Sequence, residues 1–464
     1  MALVLYNTLS RKKEPFEPLQ KGKIGIYVCG VTVYDQSHLG HAKSAINFDV
    51  IVRYLRHKGY EVRHVTNFTD VDDKIINRAN ELGMEPLVLS QSMIDEYFKD
   101  MDALKIRRAS VYPKASETMN EIVQMVKGLI DKGCAYESQG SAYFSVNKVK
   151  VYGKLSGQSL DQMEAGARVE AGEDKRDPMD FALWKAAKQG EISWDSPWGK
   201  GRPGWHIECS AMCLKHIGKT VDIHGGGTEL VFPHHENEIL QSEAYNDAPF
   251  VRYWMHNGLL TIDQEKMSKS LKNFFLIKDI LKKYSPEVVR FYILNASYRQ
   301  PLDYTEISLA ETGKALQRLQ TTYDALKAAG KSATGADDAK DLCDKSWRQF
   351  EERMDDDFST REAIAVVYDL SREVNRLLAE RKLSKKGIDN LVEIFNRIND
   401  LLDVIHAERR AEPAGDANID RLVKAREDAR KRKDFAEADR IRKELGDMDI
   451  EVQDTKDGAV WKRK

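Results

Sequence analysis

The 464-residue sequence has no long hydrophobic run and only five cysteines. No stretch approaches the roughly 18–20 consecutive apolar residues that a membrane-spanning helix needs, so we expect no membrane contact. Residues 1–7 lack the charged and then apolar pattern of a secretory signal peptide. Few cysteines without an export signal favour a reducing compartment, with metal-binding or catalytic cysteines rather than disulfides. The sequence therefore predicts a cytoplasmic protein.

A charge excess of one sign is also absent, because 72 Lys and Arg residues nearly balance 74 Asp and Glu residues. The surface as a whole is therefore not expected to attract nucleic acid through a long-range field. Charge is uneven locally, and residues 421–443 contain ten basic and five acidic side chains. Any basic surface for nucleic acid is therefore expected near the carboxyl end.

The first third of the chain has the pattern of a doubly wound sheet. Residues 23–29 form an apolar run of β-forming residues that ends at Cys29, and a loop with two histidines follows at 38–41. A helical pattern and a second strand-like run at 60–66 come next. In sheets of this order, ligands bind at the carboxyl ends of the strands. We therefore predict an α/β fold of Rossmann type, with residues 1–111 as its first half.

The rest of the chain divides into four segments. Residues 112–202 interrupt the sheet pattern and are interpreted as an insertion, and 203–305 as the second Rossmann half. The pattern of 306–410 is helical almost throughout, which predicts a helix bundle. Residues 418–464 combine one basic helix over 419–445 with two short strand-like pieces, which predicts a small α+β domain.

Two short motifs predict phosphate chemistry. One is HLGH at 38–41 and the other is KMSKS at 266–270. Attack of a carboxylate on the α-phosphate of ATP builds negative charge, which positioned donors and cations stabilise. Gly40, which stands between the two imidazoles, allows the backbone to approach phosphates closely. Lys266 and Lys269 can hold the leaving pyrophosphate. Together the motifs predict one ATP site.

Several side chains are candidates for metal ligands. Cys209 and Cys213 are four residues apart on a predicted helix and so share one face. His234, His235 and Glu238 lie at the start of another predicted helix. Thiolate, imidazole and carboxylate donors suit Zn²⁺. Spacing alone does not choose the ligands, and it leaves open that the cysteines are only small buried hydrophobic residues.

Motifs along the whole chain carry a resemblance to one family. They lie at 27–35, 38–41, 67–74, 204–212, 222–227, 232–238, 266–270 and 438–442. With these motifs the sequence resembles the cysteinyl-tRNA synthetases, which are class I aminoacyl-tRNA synthetases. The resemblance implies ligation of L-cysteine to tRNA(Cys) through a cysteinyl-adenylate, with ATP and Mg²⁺ as substrate. It also implies one zinc ion that binds the substrate thiol and so excludes serine.

The resemblance also implies roles for individual residues. The implied sets are zinc ligands Cys29, Cys209, His234 and Glu238; catalytic residues His38, His41, Lys266 and Lys269; further ATP contacts Gly40, Gly225, Gly226 and Gly227; a cysteine pocket of Cys29, Thr69, Trp205 and His224; and anticodon contacts Arg430, Phe435, Asp439 and Asp454. Serine and cysteine differ by one atom, and a plain pocket separates such molecules by only about 1–3 kcal/mol. A metal that prefers sulfur supplies a larger difference.

Four positions depart from the family pattern. This chain has Val31, Leu39, Lys43 and Glu229 where the family usually has proline, isoleucine, arginine and aspartate, respectively. The changes at Leu39 and Lys43 are mild. Two other functions fit parts of this pattern. One is a ligase that transfers cysteine to an amino sugar, which needs no tail after 417, and the other is a tRNA-binding relative without catalysis, which would not keep both ATP motifs. The tail and the motifs favour the synthetase, and we expect a monomer.

Overall fold

The computed structural model describes residues 2–149, 152–158, 175–262, 265–266, 274–330, 333–406, 417–432, 434–447, 450–455 and 458–463. The chain divides into two compact units, Met1–Ile405 and His406–Lys464. In the part of the chain that the structure describes, no helix combines the length and the apolar character needed to cross a bilayer. A cytoplasmic location stays a prediction.

The first unit alternates strands and helices before it becomes helical. Its strands are β1 Val4–Asn7, β2 Lys12–Pro15, β3 Lys23–Thr32, β4 Glu61–Thr69, β5 Ala135–Ser138, β6 Ser141–Phe144, β7 Phe181–Ala186, β8 Gly201–Pro203, β9 Val221–Gly227, β10 Val251–Asn257, β11 Leu260–Ile262, β12 Glu265–Lys266 and β13 Leu302–Tyr304. Its helices are α1 Leu39–His57, α2 Asp73–Leu82, α3 Pro86–Ala103, α4 Met119–Asp131, α5 Trp205–His216, α6 Glu236–Asn246, α7 Ile277–Leu281, α8 Pro286–Leu294, α9 Glu306–Ala329, α10 Lys340–Asp355, α11 Thr360–Ala379 and α12 Lys385–Leu402.

The central sheet has four parallel strands in the order β10, β9, β3, β4. Strand order and chain order differ, because α1 connects β3 to β4 on one side and β9 returns to the other side of β3. The strands end at Thr32, Thr69, Gly227 and Asn257, all at one edge of the sheet. The predicted α/β arrangement with a doubly wound parallel sheet is confirmed.

The sequence predicts that the first long strand ends at Cys29, and this boundary is wrong. The strand continues for three more residues, and its register against β4 shifts between Val28 and Val31. A side chain at Gly30 would overlap the main-chain oxygen of Asn67, and the Gly30 amide donates to Asn67 Oδ1 at 2.9 Å. Because bulges of this kind redirect a side chain, Cys29 lies inside the strand and still reaches the edge of the sheet.

Residues of the predicted insertion form a second, antiparallel sheet. Its strands β5, β6, β7 and β8 are neighbours in that order, and α4 packs against them. Ile122 and Val126 of α4 share one buried cluster with Leu183 of β7 and with Ile207 of α5. The second sheet is therefore fixed to the helix that carries Cys209. The domain limits given above stay predictions.

Helices α9 to α12 form the predicted bundle at the end of the first unit. Apolar stripes on its helices are buried, with Leu370 and Val374 on α11, and Leu391, Phe395 and Ile398 on α12. These residues recur at helical spacing, which is why the sequence pattern was sufficient to predict them.

The second unit corrects one prediction. In place of one basic helix over 419–445, there are two helices, α13 Ala417–Lys431 and α14 Phe435–Asp447, followed by strands β14 Ile450–Thr455 and β15 Gly458–Arg463. Asp434 Oδ1 accepts a hydrogen bond from the Glu437 amide at 3.2 Å, which starts the second helix. The turn lets Val423 pack in one core with Ile441 and Leu445, which one straight helix could not do.

A buried ion cluster holds the central sheet's first helix against the bundle. Arg290 of α8 is fully buried and donates to Asp49 of α1 at 2.9 Å. It also donates to the main-chain oxygens of Leu402, at 2.9 and 3.0 Å, and of Leu104, at 3.2 Å. Arg53 binds the same Asp49. One guanidinium therefore connects α1, α8 and the ends of α3 and α12.

Replacing this guanidinium should destabilise the first unit strongly. We expect Arg290→Met to lower the free energy of unfolding by about 3–5 kcal/mol, because breaking one side of a buried pair leaves polar groups without a partner. The measurement is the urea concentration at half-unfolding, followed by tryptophan fluorescence. Arg372→Met removes an exposed arginine that pairs with Asp369 on one helix and should leave the midpoint almost unchanged. Equal midpoints for the two variants would contradict the assignment.

Candidate active site and metal centre

A cavity of about 440 Å³ opens at the carboxyl edge of the central sheet. His38 and His41, at the start of α1, form part of its wall. Cys29, Cys209 and His234 line the same cavity. The histidines of the predicted phosphate motif and three of the candidate metal ligands therefore face one space.

Four predicted ligands meet on one side of this cavity. Each of Cys29, Cys209, His234 and Glu238 offers a donor atom within 4.8 Å of the others. Cys29 Sγ lies 3.7 Å from Cys209 Sγ and 3.5 Å from both His234 Nε2 and Glu238 Oε1. The last two atoms are 2.9 Å apart. Two sulfurs, one nitrogen and one oxygen form a donor set that suits Zn²⁺.

Local helix geometry explains why these ligands converge and others do not. His234 and Glu238 are four residues apart where the chain enters α6, so they share one side. Cys213 lies one turn after Cys209 on α5, and both are buried in one apolar cluster with Met212. Cys213 belongs to neither of the donor groups found among the described residues. The spacing of the two cysteines alone could not separate them.

The charges of the donor set also fit a divalent cation. Burial disfavours the charge of Glu238, but His224 and His234 outweigh it and lower the pKa of this carboxyl to about 2. A hydrogen bond from Cys29 outweighs burial and lowers the pKa of the Cys209 thiol to about 6. A carboxylate and a thiolate are thus favoured side by side, which is the anionic environment that a bound metal requires.

Two further histidines fix the ligands from behind. His224 Nε2 lies 2.9 Å from Glu238 Oε2, the oxygen that points away from the cysteines. His206 Nδ1 lies 3.0 Å from His234 Nδ1, so the other ring nitrogen of His234 faces the donor set. Partners of this kind orient metal ligands and set their tautomers. The role of His206 was missed by sequence reasoning, although the residue stands inside the 204–212 motif.

A second donor group shares two members with the first. Cys29, His224, His235 and Glu238 also approach within 4.8 Å. His235 Nε2 lies 3.3 Å from Cys29 Sγ, and its Nδ1 lies 2.8 Å from His256 Nε2, but neither His224 nor His235 lines the cavity among the described residues. Of the described residues that line the cavity, three belong to the first group and only Cys29 to the second, so the first group is better placed for contact with a substrate.

The residues predicted to line a cysteine pocket divide into two kinds. Thr69 and Trp205 line the cavity, and the indole of Trp205 lies over the His234 ring with centroids 4.3 Å apart. His224 is fully buried behind Glu238. Thr69 and Trp205 can therefore touch a ligand directly, whereas His224 acts on the site through a carboxylate.

The two histidines of the HLGH motif hold each other. His38 Nδ1 accepts from the Gly40 amide at 3.1 Å, and His41 Nδ1 lies 3.4 Å from the His38 amide. Their rings stack with centroids 3.6 Å apart. Burial, and then the neighbouring His38, lower the pKa of His41 well below its usual value. His41 is therefore neutral at physiological pH, at the positive end of a helix dipole that favours phosphate.

The structure describes parts of the chain before and after the core of the KMSKS motif. Lys266 has its backbone in β12, paired with β11, while its side chain and the whole of Lys269 lie outside the described residues. On the other side of the motif, the Leu39 amide donates to the Phe275 oxygen at 3.1 Å, and Leu276 bridges to His38. Of the described residues that follow the motif, Phe275 and Leu276 therefore lie at the start of α1.

The three glycines after His224 have packing roles of their own. A side chain at Gly225 would overlap the Phe48 ring, and one at Gly226 would approach His235. Only Gly227 of the three lines the cavity. The need for glycine at positions 225 and 226 is therefore explained by neighbouring side chains that leave no space for a Cβ atom.

Lys43, which the sequence suggests is only a mild departure from the family pattern, makes a buried contact between distant parts of the chain. Its ammonium group is buried and donates to the main-chain oxygens of Gly258 and, at 2.9 Å, of Gln300. Burial lowers its pKa to about 8, opposed by the charge of Glu229. All of these residues except Gln300 line the cavity. Lys43 thus joins α1 to the loop after β10, a contact that no local sequence pattern indicates.

The predicted anticodon residues lie in the second unit. Arg430 is exposed near the end of α13, and Asp439 is exposed on α14. Phe435, at the start of α14, is 63% exposed, which is unusual for a phenylalanine. Asp454 lies in β14, and its side chain is outside the described residues. An exposed ring beside basic residues can stack on an unpaired base.

Three known families match successive parts of the chain and together cover most of it. Residues 15–314 match the family described as tRNA synthetases class I (C) catalytic domain. Residues 349–406 match the DALR domain. Residues 412–461 match the cysteinyl-tRNA ligase anticodon binding domain.

Individual relatives agree with these family matches. A cysteine–tRNA ligase of Pelotomaculum thermopropionicum is 50% identical over 481 residues, with 99% of both chains covered. One from a Geobacillus species is 50% identical over 463 residues, again with 99% of both covered. The fold resembles that of Mycobacterium tuberculosis methionyl-tRNA synthetase in complex with methionyl-adenylate, with a TM-score of 0.64, 14% identity, and 82% of this chain and 92% of that chain covered. The chain therefore belongs to the cysteine–tRNA ligase family, a family of enzymes with a class I synthetase catalytic domain.

Proposed function

We propose that this enzyme joins L-cysteine to tRNA(Cys) in two steps, through a cysteinyl-adenylate, in the cavity at the edge of the central sheet. ATP with Mg²⁺ is the first co-substrate, and the terminal ribose of the tRNA is the acceptor. The observation that carries the proposal is that Cys29, Cys209 and His234, three members of the donor set that Glu238 completes, line the same cavity as His38 and His41.

The donor set would hold one zinc ion. When bound, zinc supplies a soft Lewis acid that prefers a thiolate to a hydroxyl, which discriminates against serine. The chain's own residues make this site specific. His206 and His224 hold His234 and Glu238 in place, and Trp205 forms the wall where a small amino acid would lie.

The other end of the cavity would bind the phosphates of ATP. His38, the neutral His41 and the positive end of the α1 dipole would stabilise the negative charge that develops during attack on the α-phosphate. Lys266 and Lys269 are proposed to neutralise the leaving pyrophosphate. Gly227, Glu229 and Asn257 line the same cavity, and we assign this part of it to the adenosine.

The carboxyl-terminal unit is proposed to read the anticodon through Arg430, Phe435, Asp439 and Asp454. The match of residues 412–461 to an anticodon binding domain supports this proposal. The same match disfavours transfer of cysteine to an amino sugar, which would not need such a domain. We propose that the enzyme acts as a monomer.

The first prediction concerns the choice of amino acid. Zinc-loaded enzyme should catalyse cysteine-dependent exchange of pyrophosphate into ATP. Serine should support this exchange about 10⁴-fold less well, which corresponds to about 5.5 kcal/mol. The measurement is exchange of radioactive pyrophosphate at matched amino acid concentrations. Equal exchange with serine would contradict a metal-based selection, and no exchange with cysteine would contradict the proposed first step.

The second prediction concerns the metal ligands. Cys209→Ser should reduce the bound zinc and raise the KM for cysteine at least about tenfold, because ligand partners alone affect metal sites by about 10–100-fold. The KM for ATP should change little. Cys213→Ala is the matched control, one turn along the same helix, and should keep both zinc and cysteine binding. Equal losses of substrate binding, for L-cysteine and for ATP, in Cys209→Ser would show that the Cys209 side chain has only a structural role.

The third prediction concerns tRNA recognition. Phe435→Ala should leave cysteine-dependent exchange unchanged but lower kcat/KM for tRNA charging by about 5–100-fold, since stacking of a base on an aromatic ring contributes about 1–3 kcal/mol. Ile307→Ala removes another exposed apolar side chain, 73% exposed and in the first unit, and should leave charging unchanged. Normal charging by Phe435→Ala would remove this residue from the anticodon surface.

A further inference from the structure

Lys43 is a buried cation in the wall of the active-site cavity, and the proposed reaction does not use it. The residue is 2% exposed and lines the cavity together with Glu229 and Gly258. Lysines seldom lie in the interior, because a buried ammonium group loses its hydration. A lysine at this place therefore needs partners that compensate for the lost water.

The partners of Lys43 are two main-chain oxygens from distant segments. Its ammonium group donates to the oxygen of Gly258 and, at 2.9 Å, to the oxygen of Gln300. Hydrogen bonds from a charged donor are stronger than those from a neutral one. The lysine therefore joins α1, which begins with the two histidines of the HLGH motif, to two segments of the second half of the sheet.

These two segments are in close contact with each other. Gly258 follows β10, and Gln300 precedes β13. The Gly258 amide donates to the Tyr298 oxygen at 2.8 Å, and a side chain at Gly258 would overlap the main chain of Gln300. Because the segments touch, one cation that binds both can fix their common position relative to α1.

The segment after β10 also forms a wall of the proposed adenosine subsite. Residues 257–260 line the cavity, and Asn257 is paired with Gly227 of the neighbouring strand. Asn257 donates to Ser44 Oγ at 3.1 Å, and Ser44 follows Lys43 on α1. The position of this wall therefore depends on α1, and Lys43 provides a charged contact between them.

We propose that Lys43 is a positioning residue whose ammonium group holds the Gly258 wall where it suits the adenosine part of ATP. This inference rests on the proposed function and deepens it. Lys43 acts through main-chain oxygens and needs no contact with the nucleotide. Loss of its charge weakens both hydrogen bonds, so the wall can move away from α1. The affinity for adenosine then falls, while the metal centre is unaffected.

Few charged groups surround Lys43 among the described residues. The loop after β10 and the segment before β13 meet it with uncharged main-chain oxygens. Arg299, which precedes Gln300, donates to Asp357 at 2.8 Å and is thereby neutralised. The turn after β9 contributes Glu229, whose charge acts on Lys43. Glu229 is thus the carboxylate that controls the charge of this lysine.

This environment makes the contact sensitive to pH. Burial lowers the pKa of Lys43 to about 8, and the charge of Glu229 opposes this change. The ammonium form is therefore present at neutral pH and is lost as the pH rises through about 8. Adenosine carries no group that titrates at neutral or mildly alkaline pH. A change in its affinity over this interval therefore reports on the protein.

The test uses the full chain, loaded with zinc, and three variants. Lys43→Met keeps most of the side chain without its charge, and Lys43→Arg keeps the charge. Lys58→Met is the matched control, because Lys58 follows the last residue of the same helix, pairs with Asp355 at 3.2 Å and does not line the cavity. The probe is adenosine, as an inhibitor that competes with ATP in pyrophosphate exchange. The readouts are its inhibition constant across the pKa of Lys43, the KM for ATP and for cysteine, and kcat.

For Lys43→Met at neutral pH, we expect the inhibition constant of adenosine and the KM for ATP to rise by the same factor. That factor is about tenfold, the effect of one hydrogen bond from a charged group. The KM for cysteine and kcat should change little, and Lys58→Met should change none of these values.

The pH profile separates positioning by a charge from a purely structural role. In the unaltered enzyme, inhibition by adenosine should weaken about fivefold as the pH rises through about 8, since a neutral amine is a weaker donor. Lys43→Arg should bind adenosine normally and show no such change, because a guanidinium stays charged. Glu229→Gln should move the change to lower pH, because removal of this carboxylate charge lowers the pKa of Lys43 further.

Unchanged inhibition by adenosine in Lys43→Met would overturn the inference. A rise confined to the constants for ATP and pyrophosphate would also overturn it, since Lys43 would then act on the phosphates, and so would equal losses for cysteine and ATP. If Lys43→Met does not fold, the unaltered enzyme decides, and inhibition that stays constant through about pH 8 would count against the proposed role. Absence of cysteine-dependent exchange in the unaltered enzyme would instead reject the proposed function.

Discussion

One buried carboxylate, Glu238, determines the arrangement of the active site. It is fully buried, with one oxygen 2.9 Å from His234 and the other 2.9 Å from His224. An isolated buried charge costs several kcal/mol, so the carboxylate requires both imidazoles. His224 belongs to β9 and His234 precedes α6. The carboxylate therefore ties the helix to the sheet and places one face of the cavity before any cation binds.

Local patterns in the sequence predict the frame that supports this site. The alternation of strands and helices predicts the parallel sheet, and apolar stripes such as Leu370 and Val374 predict the bundle. The HLGH motif determines its own local geometry, because its hydrogen bonds are made within four residues, and its role as a phosphate site stays a prediction. For the metal ligands, spacing was insufficient: Cys209 and Cys213 have the same local signal, and only the resemblance separated them before the fold did.

The features that could not be predicted depend on contacts between distant parts of the chain. Lys43 binds Gln300, 257 residues away, and no pattern near Lys43 reports that partner. Cys29 lies within its strand because a bulge there fits against Asn67, which the apolar run does not show. The break near Asp434 has the same cause, since the basic stretch is helical on both sides and only the core of the folded unit requires a turn.

The two halves of the cavity therefore depend on different kinds of structure. His38 and His41 are positioned by their own helix start, so their geometry persists wherever the strand and helix persist. Cys29 and Glu238 are 209 residues apart, and their meeting requires the whole sheet. A solved synthetase that is only 14% identical shares this fold, so the frame tolerates wide change. A selectivity of the proposed kind, built from separate side chains on a common frame, can change one ligand at a time while the proposed phosphate site stays the same.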